Sequence, residues 1–206
     1  MLHLFHDYKI DKLCHTTFDE FIEVYEKINH ELWHLYSLQL TTKEELRYQR
    51  FYKAFKYFDF DNVDIAKHWA NDYLSLSPYK THLIAGTVEV LDYLKDKYTM
   101  HIITNGFKEV QHIKLNSCNL THYFDQVIIS EDHGFNKPDI KLFKIAQSLC
   151  KANPDECMII GDNYDTDIMG GLNAHWKAVH FSKELMNNTN DNFYRIESLN
   201  ELMKML

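Results

Sequence analysis

Gly161-Asp162-Asn163-Tyr164-Asp165-Thr166-Asp167 packs three carboxylates into six residues, directly after the apolar run Met158-Ile159-Ile160. Carboxylates this close repel one another unless a lysine or a metal ion compensates. A hard cation such as Mg2+ takes one or two of them together with water and substrate oxygens. An acidic first turn, favoured by the helix dipole, accounts for the same pattern without a metal. Ile102-Ile103-Thr104-Asn105-Gly106 places a hydroxyl and an amide ahead of a glycine. Where a strand gives way to a helix, such donors can converge on an oxyanion; a plain turn with Thr104 as N-cap is the alternative. Lys137-Pro138-Asp139 follows Ser130-Glu131-Asp132-His133-Gly134. A lysine held there is a point cation for phosphate, or else a solvated loop residue.

These residues need elements to hold them, and the chain has two textures. Residues 1–77 contain neither glycine nor proline, and all six glycines lie from Gly86 onward. Glycine marks turns and close backbone approaches, so the first half is expected to be helical and the second turn-rich. Thr17-Phe18-Asp19-Glu20 and Thr42-Lys43-Glu44-Glu45 fit the capping box. Phe18, Phe21, Ile22, Tyr25, Ile28 and Leu32 then recur at helical steps, Arg47, Phe51, Ala54 and Phe55 continue in a second helix, and a third is expected from about Asn62 to Leu76. Residues 1–78 are thus expected to form a helical bundle. From Gly86 short apolar runs alternate with helical ones. A short buried strand is expected at 98–104 and further strands at 126–129, 157–160 and 177–180, with helices near 109–116, 140–149 and 166–172. That alternation implies βαβ units and a parallel sheet, in which ligands bind at the carboxyl ends of the strands. Thr104, Asn105 and Asp162 fall at such ends.

Composition narrows the function classes. The 206 residues are 45% hydrophobic and 14% aromatic, enough for a sizeable core. Lysine and arginine number 22 against 30 acidic residues, for a formal charge of −8. Such a balance, with no long basic run, argues against nucleic acid or an anionic membrane as partner. There is no membrane-length apolar run, and residues 1–7 lack the basic region and cleavage site of a signal peptide, so no secretory leader is expected. The four cysteines form no CxxC pair and read as reduced thiols. A soluble cytoplasmic protein is expected.

In order, Thr104-Asn105-Gly106-Phe107, then Lys137-Pro138, then GDxxxxD from Gly161 to Asp167, resemble the haloacid dehalogenase-like hydrolase superfamily. Ala85-Gly86-Thr87-Val88-Glu89-Val90-Leu91 is similar to that family's entry into its core domain. The resemblance implies a Rossmann-like parallel α/β core over residues 79–206 and a helical cap over 1–78. Within the helical-cap branch the chain looks most like the pyrimidine 5′-nucleotidases. It further implies a phosphate ester substrate, nucleotide-like, with Mg2+ as cofactor. Thr104, Asn105 and Gly106 would hold phosphate oxygens, and Lys137 would stabilise the transferring phosphoryl charge. Asp162 would ligate Mg2+, with Asp167 completing the metal site through water or from behind the ligand.

The family's nucleophile, an aspartate in a DxDxT motif ending an apolar strand, is not found in these residues. The chain therefore reads as a form lacking the central first strand of the sheet, derived from an active phosphatase and impaired as given. A nucleotide-binding protein without turnover and a metal-independent 2-haloacid dehalogenase are the alternatives. Asp59-Phe60-Asp61 is the nearest substitute for the motif, but it follows a helical stripe and has Val63 where threonine is expected. It reads as a polar turn. His30-Glu31-Leu32-Trp33-His34 matches HExxH, yet no third zinc ligand follows, and Leu32 and Trp33 read as packing residues.

Overall fold

Threonine caps start the two longest helices. The computed structural model describes residues 1–183 and 193–206, which divide into two compact units, Met1–Lys80 and Thr81–Leu206. The first unit consists of helices α1 (Leu2–Asp7), α2 (Ile10–Leu13), α3 (Phe18–Ser37), α4 (Lys43–Tyr57) and α5 (Val63–Leu76). Both capping boxes form: Thr17 and Glu20 satisfy each other's backbone donors at the start of α3, and Thr42 and Glu45 do so for α4. Asn62 caps α5. Residues 1–11 do not form one helix, because Lys9 takes a left-handed conformation (φ 53°) between α1 and α2. Helix α4 packs against both α3 and α5. Phe21, Phe51, Phe55 and Trp69 are fully buried, with Trp69 within 6.0 Å, centroid to centroid, of the other three rings.

The second unit runs α6 (Thr87–Leu94), β1 (His101–Thr104), α7 (Lys108–Ser117), β2 (Gln126–Ile129), α8 (Ser130–His133), α9 (Ile140–Cys150) and β3 (Met158–Gly161). A π-helical turn at Tyr164–Ile168 leads into α10 (Met169–Asn173), then β4 (Lys177–Phe181), β5 (Tyr194–Ile196) and α11 (Leu202–Met205). All strand pairings are parallel, as the alternating pattern requires. The strand β5 had no counterpart in the sequence reading, since three residues are too few to show a period. The helix expected near 166–172 begins instead as the π-turn.

The sheet is divided. Strands β1 and β2 pair with each other, and β3, β4 and β5 form a second sheet in that order. Among the described residues no strand joins β1 to β3. The expected burial of the strand at 98–104 is accordingly not met, since all four residues of β1 are half-buried; Ile160 of β3 is exposed. A strand with a hydrogen-bonded neighbour on one side only keeps its other edge open. Helices supply the remaining cover. Ile128 of β2 packs with Leu142, Phe143 and Ala146 of α9 and with Trp176, and Ile103 and Ile159 lean on the same cluster. Val179 of β4 and Ile196 of β5 pack with Val90 and Leu94 of α6 and with Leu202 of α11.

Candidate active site

The parallel arrangement brings the carboxyl ends of β1 and β3 to the loops that carry Thr104, Asn105, Asp162 and Asp167. Thr104 does not cap the following helix, whose N-cap is Phe107. Its Oγ1 accepts the Gly106 N–H at 2.9 Å, which leaves the hydroxyl proton free to donate. Asn105 holds the backbone of Lys137, 32 residues away, from both sides. Its Nδ2 donates to the Lys137 carbonyl at 2.9 Å, and its Oδ1 accepts the Lys137 N–H at 2.8 Å. One N–H of the amide remains for another acceptor.

Lys137 is not a solvated loop residue. Its Nζ lies 2.5 Å from Asp167 Oδ1, and the two side chains are only 13% and 7% exposed. The lysine precedes a cis proline, after which Asp139 caps α9 by accepting the Lys141 N–H. The other oxygen of Asp167 accepts the Asn163 N–H at 3.1 Å. Both of its oxygens are thus engaged within the protein. Gly161 allows this: a Cβ there would stand 2.3 Å from Asp167 Oδ2 and 2.5 Å from its Cβ. Gly161→Ala is therefore expected to destabilise the unit by about 1–3 kcal/mol through overpacking. Thermal unfolding against the wild type checks this, and an unchanged transition would show that the loop has room to give.

Asp162 behaves differently from Asp167. It is exposed, and its carboxylate has no hydrogen-bonding partner among the described residues. Asp165 is exposed as well. An octahedral Mg2+ keeps several waters and needs only one or two protein carboxylates, so the donor set fits that ion. Asp162 offers a free oxygen, while Asp167 is committed to Lys137 and Asn163. Among the described residues no three histidine, cysteine or acidic side chains converge into a closed metal cage. His30 and His34 of the HExxH stretch are both exposed on α3, with Leu32 buried between them. Asp59 and Asp61 lie in the turn between α4 and α5. There Asp59 has φ 56° and Asp61 accepts the Tyr52 hydroxyl at 2.7 Å.

The cysteines are free thiols. Burial pushes Cys14 up to about 11 and raises Cys150 and Cys157 as well, away from reactive thiolate behaviour.

The loop also depends on a residue that sequence reading left without a role. His180 of β4 pairs in register with Gly161, is 3% exposed, and places Nε2 3.1 Å from the Asp162 carbonyl. A signal for it existed: a histidine inside the apolar strand Ala178-Val179-His180-Phe181 is a buried polar group that must find a partner.

The chain is similar to known proteins in sequence and in fold. A family model for haloacid dehalogenase-like hydrolases matches residues 10–181. The pyrimidine 5′-nucleotidase YjjG of Escherichia coli is 30% identical over 173 residues, 83% of this chain and 72% of that protein. The pyrimidine 5′-nucleotidase PynA of Streptococcus pneumoniae is 29% identical over 168 residues, covering 81% and 70%. Among solved structures, the HAD-hydrolase YfnB of Bacillus subtilis bound to magnesium superposes with a TM-score of 0.85 at 25% identity. That match covers 98% of this chain and 87% of that one.

Proposed function

The chain belongs to the haloacid dehalogenase-like hydrolase family, and from that we propose that it serves the hydrolysis of a phosphate monoester, a nucleoside monophosphate, with Mg2+. The observation that carries this reading is the unbroken series of contacts from Asn105 to the Lys137 backbone, from Lys137 to Asp167, and from Asp167 to the peptide following Asp162. It gathers a hydroxyl, a cation and a free carboxylate at the ends of parallel strands, where such sheets bind ligands. The two pyrimidine 5′-nucleotidase relatives support the substrate class.

Each side chain takes one part. The Thr104 hydroxyl, the remaining Asn105 N–H and the backbone at Gly106 bind phosphate oxygens. Lys137, aimed by Asn105 and by Asp167, neutralises charge on the phosphoryl group as it transfers. Asp162 would hold Mg2+, with Asp167 supporting from behind; the ion, when bound, lets an anionic nucleophile approach an anionic phosphate. The attacking aspartate of the proposed aspartyl-phosphate route is not assigned to any of the 206 residues. Residues 1–78 are assigned the part of a substrate-selecting cap and 79–206 that of the hydrolytic core. Among the described residues no helix is long and apolar enough to cross a membrane.

The test compares the 206-residue chain with the same chain carrying whatever its reading frame encodes upstream of Met1. The extended form is expected to release phosphate from pyrimidine nucleoside monophosphates and to stop in EDTA. The shorter form is expected to bind the nucleotide with little turnover. EDTA-resistant activity on a 2-haloacid, or no nucleotide binding by either form, would overturn the reading.

A further inference from the structure

The peptide unit joining Asp162 to Asn163 is held at both of its polar atoms. Its N–H donates to Asp167 Oδ2 at 3.1 Å, and its C=O lies 3.1 Å from His180 Nε2. A carbonyl can only accept, so the imidazole proton is on Nε2. The parallel ladder between β3 and β4 ends at the pair Gly161–His180. Asp162 is thus the first residue past the strand, and its carbonyl has lost a ladder partner. The His180 ring, itself buried, supplies a partner in a part-buried contact. The ring is itself fixed, packed at 5.8 Å from Tyr164 and 6.2 Å from Phe193, centroid to centroid. Its Nδ1 is buried and has no partner among the described residues.

We propose that His180 is a positioning residue: by donating to the Asp162 carbonyl it sets the orientation of the peptide from which the free carboxylate of Asp162 projects. It works opposite Asp167, so that two elements far apart in sequence clamp one peptide plane. The consequence for Mg2+ rests on the reading of Asp162 as the ion's ligand, whereas the clamp does not.

Amide hydrogen exchange in the metal-free protein tests the clamp. His180→Leu removes the donor, while His180→Gln returns an N–H at similar reach. With Leu, exchange at Asn163 and Asp167 is expected to quicken about tenfold or more, and with Gln to return to within about threefold of wild type. Mg2+ affinity, followed by titrating the ion alone against the Asn163 amide signal, is expected to fall about tenfold with Leu and recover with Gln, as outer partners of metal ligands behave. Equal exchange in wild type and the Leu variant would overturn the proposal. So would a wild-type 15N spectrum placing the ring proton on Nδ1, a readout that needs no variant to fold. An exchange contrast in a protein that never responds to Mg2+ would uphold the clamp and sink the metal reading of Asp162.

Discussion

In the form extended upstream of Met1, Asp162→Asn is expected to end Mg2+-dependent phosphate release while leaving the fold in place. The carboxylate is exposed and has no partner among the described residues, so its charge can be removed with a stability change within about 0.5 kcal/mol. Its proposed task is to hold the ion, and an amide is a weaker ligand for a hard cation than a carboxylate. Even outer partners of a metal typically cost about 10–100-fold when lost, so the ligand itself should cost at least the upper part of that range. Phosphate release measured across a Mg2+ titration, beside a thermal melt, decides it. Wild-type turnover in the variant would remove Asp162 from the metal site, whatever the melt shows.

In the same extended form, Lys137→Ala is expected to lose both turnover and stability, for separable reasons. The Lys137 charge counts most where phosphoryl charge develops, so kcat should fall by about 100- to 1000-fold with KM little changed. Stability should fall too, because Asp167, 7% exposed, would be left as a buried charge without its cation. Breaking such a pair from one side costs about 3–5 kcal/mol. The double variant Lys137→Ala/Asp167→Asn separates the effects. Neutralising the stranded carboxylate should return most of the stability and none of the kcat. A rise in KM at constant kcat would instead make the lysine a ground-state binding group, and a double variant as unstable as the single one would deny the buried pair its energetic role.

Both outcomes depend on a site that was partly legible before any coordinates. The stretches around Thr104 and Asp162 could be picked out because each sits at the visible end of an apolar run, Lys137 is marked by the proline after it, and the order of the three matches a family pattern. The helices were equally open to reading. Thr17 with Glu20, and Thr42 with Glu45, lie three residues apart, and the stripe from Phe18 to Leu32 repeats at one period. Interactions between residues this close in sequence are written in local spacing.

What joins the three stretches is not local. Asn105 reaches the Lys137 backbone across 32 residues, Lys137 reaches Asp167 across 30, and His180 reaches the Asp162 carbonyl across 18. Each contact exists only because parallel strands return their carboxyl ends to the same side, and no spacing rule predicts which side chain will find which carbonyl there. The residue types, the helices and the order of the motifs were thus determined by the sequence alone. The burial of the lysine, the exposure of Asp162 beside a buried Asp167, the split of the sheet and the contact of His180 with the Asp162 carbonyl were decided by tertiary structure, since desolvation and long-range hydrogen bonding arise only when distant segments pack together.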